Sequence, residues 1–167
     1  MATTAIPAVP APPAFEPRIV AFFCNWCTYT ASDLAGTARL AYEPNAPVIR
    51  VMCSGRVDPQ FVLKALQEGA DGVLVGGCHP GDCHYQEGNY KALRRFILLK
   101  RMLASFGIEE ERVRLEWIAA SEGEKVQRVI NEMTDTLRRL GPLQLEPLHA
   151  SPAEGHGHHV AAHGGTV

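Results

Sequence analysis

The sequence predicts an α/β protein with a single open parallel sheet of four strands. Four short apolar runs are each followed by an amphipathic stretch, and this alternation is typical of repeated β/α units. The third run, Gly72 to Gly76, is apolar throughout, as expected for a strand covered on both faces. With 167 residues, the chain is long enough for one domain with its own core. We therefore expect a β/α unit repeated four times.

The four apolar runs define the expected strands: Arg18 to Phe23, Val48 to Met52, Gly72 to Gly76 and Val113 to Ala119. The last run alternates apolar and polar residues, with Arg114 and Glu116 on one side, which is typical of an edge strand. We expect the strand order 2-1-3-4 of a flavodoxin- or Rossmann-like sheet.

Capping signals predict two of the helices. Asp58 and Pro59 provide an N-cap and a first-turn proline, and Gly69 is placed to end that helix. Ser121 and Glu124 have the spacing of a capping box before the last helix. Apolar residues with a 3.6-residue period follow this box, and they are Val126, Val129, Ile130, Met133, Leu137 and Leu140.

Another helix is predicted from Asn89 to about Phe106. Its apolar residues are expected on one side, and they are Leu93, Ile97, Leu99, Met102, Leu103 and Phe106. Basic residues occupy the rest of its circumference, and they are Lys91, Arg94, Arg95, Lys100 and Arg101. Two interpretations of this charge stay open, a solvated face and a docking face for an acidic partner.

Two tails flank the predicted domain of residues 18–141. Residues 1–17 form an Ala/Pro-rich leader and residues 142–167 a His/Gly-rich tail, and both compositions predict disorder. The leader lacks the features of an export signal or a membrane anchor, so we expect a cytoplasmic protein without membrane insertion. The formal net charge of -2 gives no reason to expect nucleic acid as a partner. The His-rich tail is compatible with opportunistic metal binding.

All five cysteines lie at the ends of the first three predicted strands. Cys24 and Cys27 follow the first strand, Cys53 the second, and Cys78 and Cys83 the third. The carboxyl ends of neighbouring parallel strands meet at one edge of a sheet, where such proteins bind ligands. Strands about 5 Å apart would bring these sulfur atoms together at one small centre.

Three kinds of centre fit these residues. Four cysteines typically ligate an iron-sulfur cluster, and this explains the thiol count best. Zinc would also accept four of them, but structural zinc typically stabilises small modules without a core. A thiol-disulfide oxidoreductase using Cys24 and Cys27 would leave three cysteines without a role. Cys24, Cys27, Cys78 and Cys83 form two natural pairs, yet the strand-end position of Cys53 argues equally for ligation.

Four further residues are candidates for tuning the centre rather than for binding it. His79 and His84 do not have the Rieske spacing, so we interpret them as hydrogen-bond donors to the ligand residues or as loop anchors. Arg56 follows Cys53 and would influence a redox potential, or else pair with Asp58 at the surface. Trp26 would shield the centre from water or serve as a core or interface aromatic. The sequence has no nucleotide-binding glycine motif and no hydrolase triad signature.

Several motifs together resemble the delta subunit of methyl-viologen-reducing nickel-iron hydrogenases, between about Pro17 and Leu140. They are Phe23 to Cys27 (FCNWC), Ile49 to Pro59 (IRVMCSGRVDP), Gly69 to Val73 (GADGV), Gly77 to Tyr85 (GCHPGDCHY), Arg114 to Ile118 (RLEWI) and Ala120 to Glu124 (ASEGE). Both tails lie outside the resemblance.

The resemblance implies a non-catalytic electron-transfer protein that carries one 2Fe-2S cluster on four of the five cysteines. In that family the protein connects a hydrogenase, or a formate dehydrogenase, to the FAD subunit of heterodisulfide reductase. It therefore also implies a larger hetero-oligomer and anaerobic metabolism. All five cysteine positions of the family pattern are present, at Cys24, Cys27, Cys53, Cys78 and Cys83.

Overall fold

The computed structural model describes residues 15–145. The predictions for residues 1–14 and 146–167, including the histidines of the tail, lie outside the described residues. The strands are β1 (Ile19–Cys24), β2 (Val48–Val51), β3 (Gly72–Gly77) and β4 (Val113–Trp117). The helices are α1 (Thr28–Thr37), α2 (Pro59–Gln67), α3 (Gly88–Ser105) and α4 (Gly123–Leu140), with short 3-10 turns at Ser54–Arg56 and Glu110–Arg112.

The four strands form one parallel sheet in the order β2-β1-β3-β4. This confirms the predicted fold class and strand order. β3 is buried along its whole length, because it lies inside the sheet with helices on both faces. β2 and β4 are the edge strands, and Arg114 pairs with Glu116 at 2.7 Å on one side of β4, as the alternation predicted.

Two apolar layers hold the sheet between its helices. On one face Ala21, Phe23 and Leu74 pack with residues of α1 and α4. On the other face Phe22, Val73 and Val75 pack with residues of α2 and α3. No helix within residues 15–145 is both long enough and apolar enough to cross a membrane.

The capping prediction is confirmed for α2 and wrong for α4. Asp58 accepts a hydrogen bond from the Gln60 N–H at 3.0 Å, and Gly69 follows the end of α2 with a φ of +91°. α4 instead begins at Gly123, after Glu122, and Ser121 caps nothing. The Glu122 carboxylate accepts from the Ala119 N–H at 2.6 Å, and this turn also ends β4 at Trp117, two residues before the predicted end.

The predicted apolar side of α3 is only partly correct. Leu99 and Leu103 are buried, together with Ala92, but the side chains of Ile97 and Phe106 are 47% and 64% exposed. The buried positions of the helix keep the 3.6-residue period, but small residues such as Ala92 occupy them near its amino terminus. Two large apolar residues were therefore assigned to the wrong face.

Buried Arg112 forms an ion pair with partly exposed Glu109 at the end of the sheet opposite to the cysteines. Arg112 is 2% exposed and donates to Glu109 at 2.6 Å, and it also donates to the carbonyl oxygens of Asp71 and Gly141. The Asp71 carboxylate accepts from the backbone N–H groups of Arg18 and Leu143. These contacts fix the chain near both ends of the described region.

Candidate metal centre

Glycines at the end of β3 allow the cysteine-bearing segments to approach the sheet edge. A Cβ at Gly76 would overlap the Thr28 side chain, at the start of α1. A Cβ at Gly77 would lie 2.7 Å from the Ser54 Oγ. Because these positions lack a side chain, the residues next to Thr28 and Ser54, which are Cys27 and Cys53, can lie over the strand ends.

Three thiols converge in one buried cluster. The sulfur atoms of Cys24, Cys27 and Cys78 all lie within 4.8 Å of one another. The Cys24 and Cys78 Sγ atoms are 3.7 Å apart, and each of the three residues is at most 5% exposed. The end of β1, the N-cap position of α1 and the end of β3 supply one sulfur each.

The other two thiols form a second close pair. The Cys53 and Cys83 Sγ atoms are 3.8 Å apart, and both residues are buried. Cys53 follows β2, and Cys83 lies in the loop that leads into α3. The sulfur atoms of the β1 and β3 ends meet in one group, whereas Cys53 of the β2 end pairs with Cys83, so the thiols are grouped as three plus two.

The geometry of both groups suits a tetrahedral metal. Two thiolates bound to one tetrahedral metal at about 2.3 Å are separated by about 3.8 Å, and sets of sulfur ligands in this geometry bind zinc or iron-sulfur clusters. The Cys24–Cys78 and Cys53–Cys83 distances of 3.7 and 3.8 Å have this value. The donor set therefore fits a thiolate-bound metal centre.

The three clustered thiols oppose one another's ionisation. Hydrogen bonds from Cys27 and Cys78 lower the pKa of Cys24 to about 2. The same contacts raise the pKa of Cys27 to about 11, chiefly through its hydrogen bond to Cys24, and they raise the pKa of Cys78 further. One thiolate thus suppresses ionisation of its neighbours, and a bound cation would stabilise several thiolates together.

Backbone N–H groups also point at the sulfur atoms. Burial opposes ionisation of Cys83, but hydrogen bonds from the backbone of Tyr85 and Asn89, from the Cys53 thiol and from the backbone of Gly88 outweigh it and lower the pKa of the Cys83 thiol. Gly88 and Asn89 belong to the first turn of α3. The Gly55 N–H lies 3.4 Å from the Cys53 Sγ, where burial is the main cause of a raised pKa. Such donors stabilise anionic sulfur and tune cluster potentials.

Asn89 fixes the loop that carries Cys78. Its side-chain amide is 1% exposed and donates to the carbonyl oxygens of Cys78 at 3.2 Å and His79 at 2.7 Å. The preceding residue, Gly88, packs directly on the sulfur atoms of Cys53 and Cys83. Sequence reasoning missed both residues, because a Gly-Asn pair at a helix start has many ordinary explanations.

The two candidate histidines lie in different surroundings. His79 pairs with Glu122 at 2.7 Å, so it connects the Cys78 loop to the turn before α4. The hydrogen bonds from Ala119 and His79 lower the pKa of Glu122. His84 stacks on Trp26 at a ring-centroid distance of 3.8 Å and an interplanar angle of 15°.

Trp26 and its neighbours bridge two cysteine loops at the surface. The Trp26 side chain is 44% exposed, which excludes its interpretation as a core aromatic. Its indole N–H lies 3.4 Å from the Tyr85 hydroxyl, and it stacks on His84. Trp26 lies between Cys24 and Cys27, whereas His84 and Tyr85 follow Cys83, so these rings connect the two loops.

Arg56 is exposed and forms no ion pair within the described part of the chain.

Comparison with known proteins identifies the family. The sequence model of the methyl-viologen-reducing hydrogenase, delta subunit, matches residues 19–141. The chain belongs to this family. An iron-sulfur subunit of the F420-non-reducing hydrogenase of Archaeoglobus profundus is 61% identical over 132 residues, which cover 79% of this chain and 96% of that protein. The vhc iron-sulfur subunit of an F420-non-reducing hydrogenase from Methanococcus voltae is 58% identical over 79% of this chain and 92% of its own length.

A longer relative contains a similar segment. It is one of the subunits of the ferredoxin/F(420)H(2)-dependent CoB-CoM heterodisulfide reductase of Methanosarcina acetivorans, and it is 49% identical over 130 residues. The match covers 78% of this chain but only 16% of that protein. A domain of this family is therefore found both as a separate subunit and within a longer heterodisulfide reductase chain.

Proposed function

We propose that this member of the hydrogenase delta-subunit family is an electron-transfer protein that carries one 2Fe-2S cluster on four of its five cysteines. The observation that carries this proposal is the grouping of five buried thiols from three strand ends, with two pairs at 3.7 and 3.8 Å. A 2Fe-2S cluster needs two cysteine ligands on each of its two irons. When bound, it accepts and releases single electrons.

The grouping also supports a choice of ligands. We expect Cys53 and Cys83 to hold one iron and two of Cys24, Cys27 and Cys78 to hold the other. The unused thiol would then belong to the group of three, which differs from the pairing suggested by cysteine spacing alone. The residues around the sulfur atoms bind and orient the cluster and exclude water, because all five thiols are buried.

The thiol-disulfide alternative is disfavoured by burial. A redox-active cysteine needs an accessible sulfur, but Cys24 and Cys27 are 1% and 5% exposed. A zinc-binding adaptor remains compatible with the group of three thiols, so the experiment must separate zinc from iron.

Anaerobic purification with iron, sulfide and zinc analysis tests the proposal. We expect about two irons and two sulfides per chain, and no stoichiometric zinc. Serine variants of the five cysteines should then bleach the visible cluster absorption at four positions, with the tolerant position among Cys24, Cys27 and Cys78. Stoichiometric zinc without iron would refute the electron-transfer role, and full absorption in three or more variants would refute ligation by four thiolates.

The names of the relatives include a hydrogenase and a heterodisulfide reductase, and the family resemblance adds a formate dehydrogenase and an FAD subunit. We propose that the protein connects a hydrogenase, or a formate dehydrogenase, to a heterodisulfide-reductase-like FAD subunit within a hetero-oligomer. The similar segment in a longer heterodisulfide reductase chain supports this assignment. A cytoplasmic location agrees with five free thiols, which persist in a reducing compartment. Co-purification of the named subunits with the full chain would test both the partners and the stoichiometry.

A further inference from the structure

The outer face of α3 combines positive charge with exposed apolar side chains. α3 carries five of the chain's 16 Lys and Arg residues and none of its 18 Asp and Glu residues. The chain as a whole has a net charge of -2, so this helix is a local exception. The concentration of charge on one element indicates recognition of an acidic surface.

The helical period places five residues together on the side that faces away from the sheet. Ala92, Leu99 and Leu103 define the buried side of α3. At 100° per residue, the opposite side includes Tyr90, Arg94, Ile97, Leu98 and Arg101, together with the small residues Ala104 and Ser105 at the end of the helix. We call the first five of these residues the α3 outer face.

The α3 outer face is exposed and largely unpartnered within the described residues. Its apolar members Tyr90, Ile97 and Leu98 are 43%, 47% and 65% exposed. Arg94 and Arg101 are exposed and form no ion pair within residues 15–145. Arginine and tyrosine beside exposed aliphatic residues are the composition of a protein-protein interface rather than of a solvated charged surface.

The arrangement of charge argues for a protein rather than a membrane. A helix that lies on a membrane separates an apolar face from a charged face. In α3 the apolar face is already packed in the core, and the outer face mixes arginine with isoleucine and leucine. An acidic protein surface with apolar side chains at its centre complements this mixture.

The position of α3 connects the outer face to the thiol site. The helix begins at Gly88, which packs on the sulfur atoms of Cys53 and Cys83. Arg95 donates to the Gly55 carbonyl at 2.7 Å, so the Cys53 loop also contacts this helix. Tyr90, the first residue of the outer face, is two positions from Gly88, so a protein docked there would reach the end of the helix that packs on Cys53 and Cys83.

We propose that the α3 outer face docks the acidic surface of the partner protein that exchanges electrons with this chain. The proposal rests on the proposed electron-transfer function, and it adds the surface and the chemistry of the partner. The basic helix supplies Arg94 and Arg101 for ion pairs with carboxylates, while Tyr90, Ile97 and Leu98 form the apolar part of the interface.

Cross-linking of the native complex tests the location. The full chain is purified anaerobically with an affinity tag from the cells that produce it, and the co-purifying proteins are identified by mass spectrometry. A carbodiimide then joins lysine amines to carboxylates in direct contact. We expect links from Lys91 or Lys100 of α3 to Asp or Glu residues of another iron-sulfur or flavin protein. Lys91 also lies 3.6 Å from Glu87, so the link between them is an internal control for reactivity.

Charge reversal tests the chemistry. The double variant Arg94→Glu/Arg101→Glu should raise the dissociation constant for that partner at least about tenfold, because both attractive contacts become repulsive. Arg128→Glu is the matched control, since Arg128 is 63% exposed on α4, on the opposite side of the sheet. It should leave the dissociation constant within about twofold.

Three other outcomes would each overturn the docking proposal. Such outcomes are unchanged binding by the double variant, links only to a second copy of this chain, and links only from lysines outside α3. Binding of the wild-type chain to phosphatidylglycerol-phosphatidylcholine vesicles that the double variant abolishes would assign α3 to a membrane instead. Iron and sulfide are measured on the same samples. A chain without a cluster would therefore refute the proposed function separately from the docking surface.

Discussion

Replacement of Gly88 by alanine provides a steric test of the site. A Cβ on Gly88 would lie less than 3.0 Å from the Cys53 Sγ and 3.1 Å from the Cys83 Sγ. The backbone there has no positive φ, and alanine favours a helix more than glycine does. Any loss in the variant must therefore come from the sulfur contacts and not from the backbone.

The structure gives the size of the expected effect. Non-bonded atoms in contact prefer about 3.5 Å or more, so the Cys53 sulfur must move by more than about 0.5 Å. Metal-sulfur bond lengths vary by only about 0.2 Å, so a sulfur that is displaced further can no longer bind the metal at this site. Without a cluster, overpacking of this kind costs about 1–3 kcal/mol. We expect Gly88→Ala to lose most of its iron and its visible absorption.

Two further variants make the steric test interpretable. Gly36→Ala is the matched control, because a Cβ there would have no atom within 4 Å, and it should retain the full cluster. The double variant Gly88→Ala/Cys53→Ala removes the clashing sulfur, so it should recover about 1–3 kcal/mol of stability but not the iron. Iron analysis and urea unfolding measure both quantities. Iron content in Gly88→Ala equal to that of Gly36→Ala would refute the reasoning, and so would recovery of the cluster in the double variant.

Three other substitutions test the surroundings of the site and the opposite end of the sheet. Asn89→Ala leaves the buried Cys78 carbonyl without its donor and removes one of the two donors to the His79 carbonyl, which still accepts from the Asp82 N–H. Urea unfolding should therefore show a loss of about 1–2 kcal/mol, and the midpoint potential measured in the loaded protein should shift. Glu109→Gln should cost about 1 kcal/mol at pH 7, because the charged bond to buried Arg112 is lost at a partly exposed carboxylate. Arg112 lowers the pKa of Glu109 in the folded protein. This stabilisation is therefore complete above the unfolded pKa of about 4.3, and it is lost as the pH falls through the lower pKa of the folded protein. Below that pH, wild type and variant should have the same free energy of unfolding. Trp26→Ala removes the stack on His84, worth about 1 kcal/mol, so bleaching of the cluster in air should accelerate about fivefold, whereas Trp26→Phe should stay near the wild-type rate.

These three predictions have separate points of failure. An unchanged potential in Asn89→Ala would mean that the Cys78 loop is held by other contacts. A difference between Glu109→Gln and wild type that persists at about pH 2 would exclude the ionised Glu109 as its source. Equal bleaching rates for the alanine and phenylalanine variants of Trp26 would exclude a protective role for the stack.

The sequence was sufficient to predict the sheet because each strand has a pattern of apolar and polar residues that can be recognised within a few positions. The wholly apolar run at Gly72 predicted a central strand, and the alternation around Arg114 predicted an edge strand. Both properties depend on the two faces of one strand, which sequence periodicity reports directly. The approach of Cys24 and Cys78, which follow the neighbouring strands β1 and β3, depends on the same parallel topology.

The predictions for the start of α4 and the buried side of α3 were wrong because the residues concerned fit two structural positions equally well by their chemistry. Ser121 and Glu124 have the spacing of a capping box, but Glu122 reaches the Ala119 N–H instead and the helix starts at Gly123. Ile97 is apolar, but the inward positions of α3 are filled by other residues, so it faces solvent. Periodicity alone does not choose between such options, because tertiary contacts decide them.

The division of the thiols into three and two depends on α3, and this explains why cysteine spacing did not predict it. Cys53 and Cys83 are 30 positions apart in sequence, and their sulfur atoms meet where Gly88 lets the first turn of the helix pack on both. The same turn holds the Cys78 loop through Asn89. The helix then continues into the basic outer face. A displacement of α3 by a docked partner would therefore move the donors around Cys83 directly, so binding of a partner and the potential of the cluster should be coupled in this family.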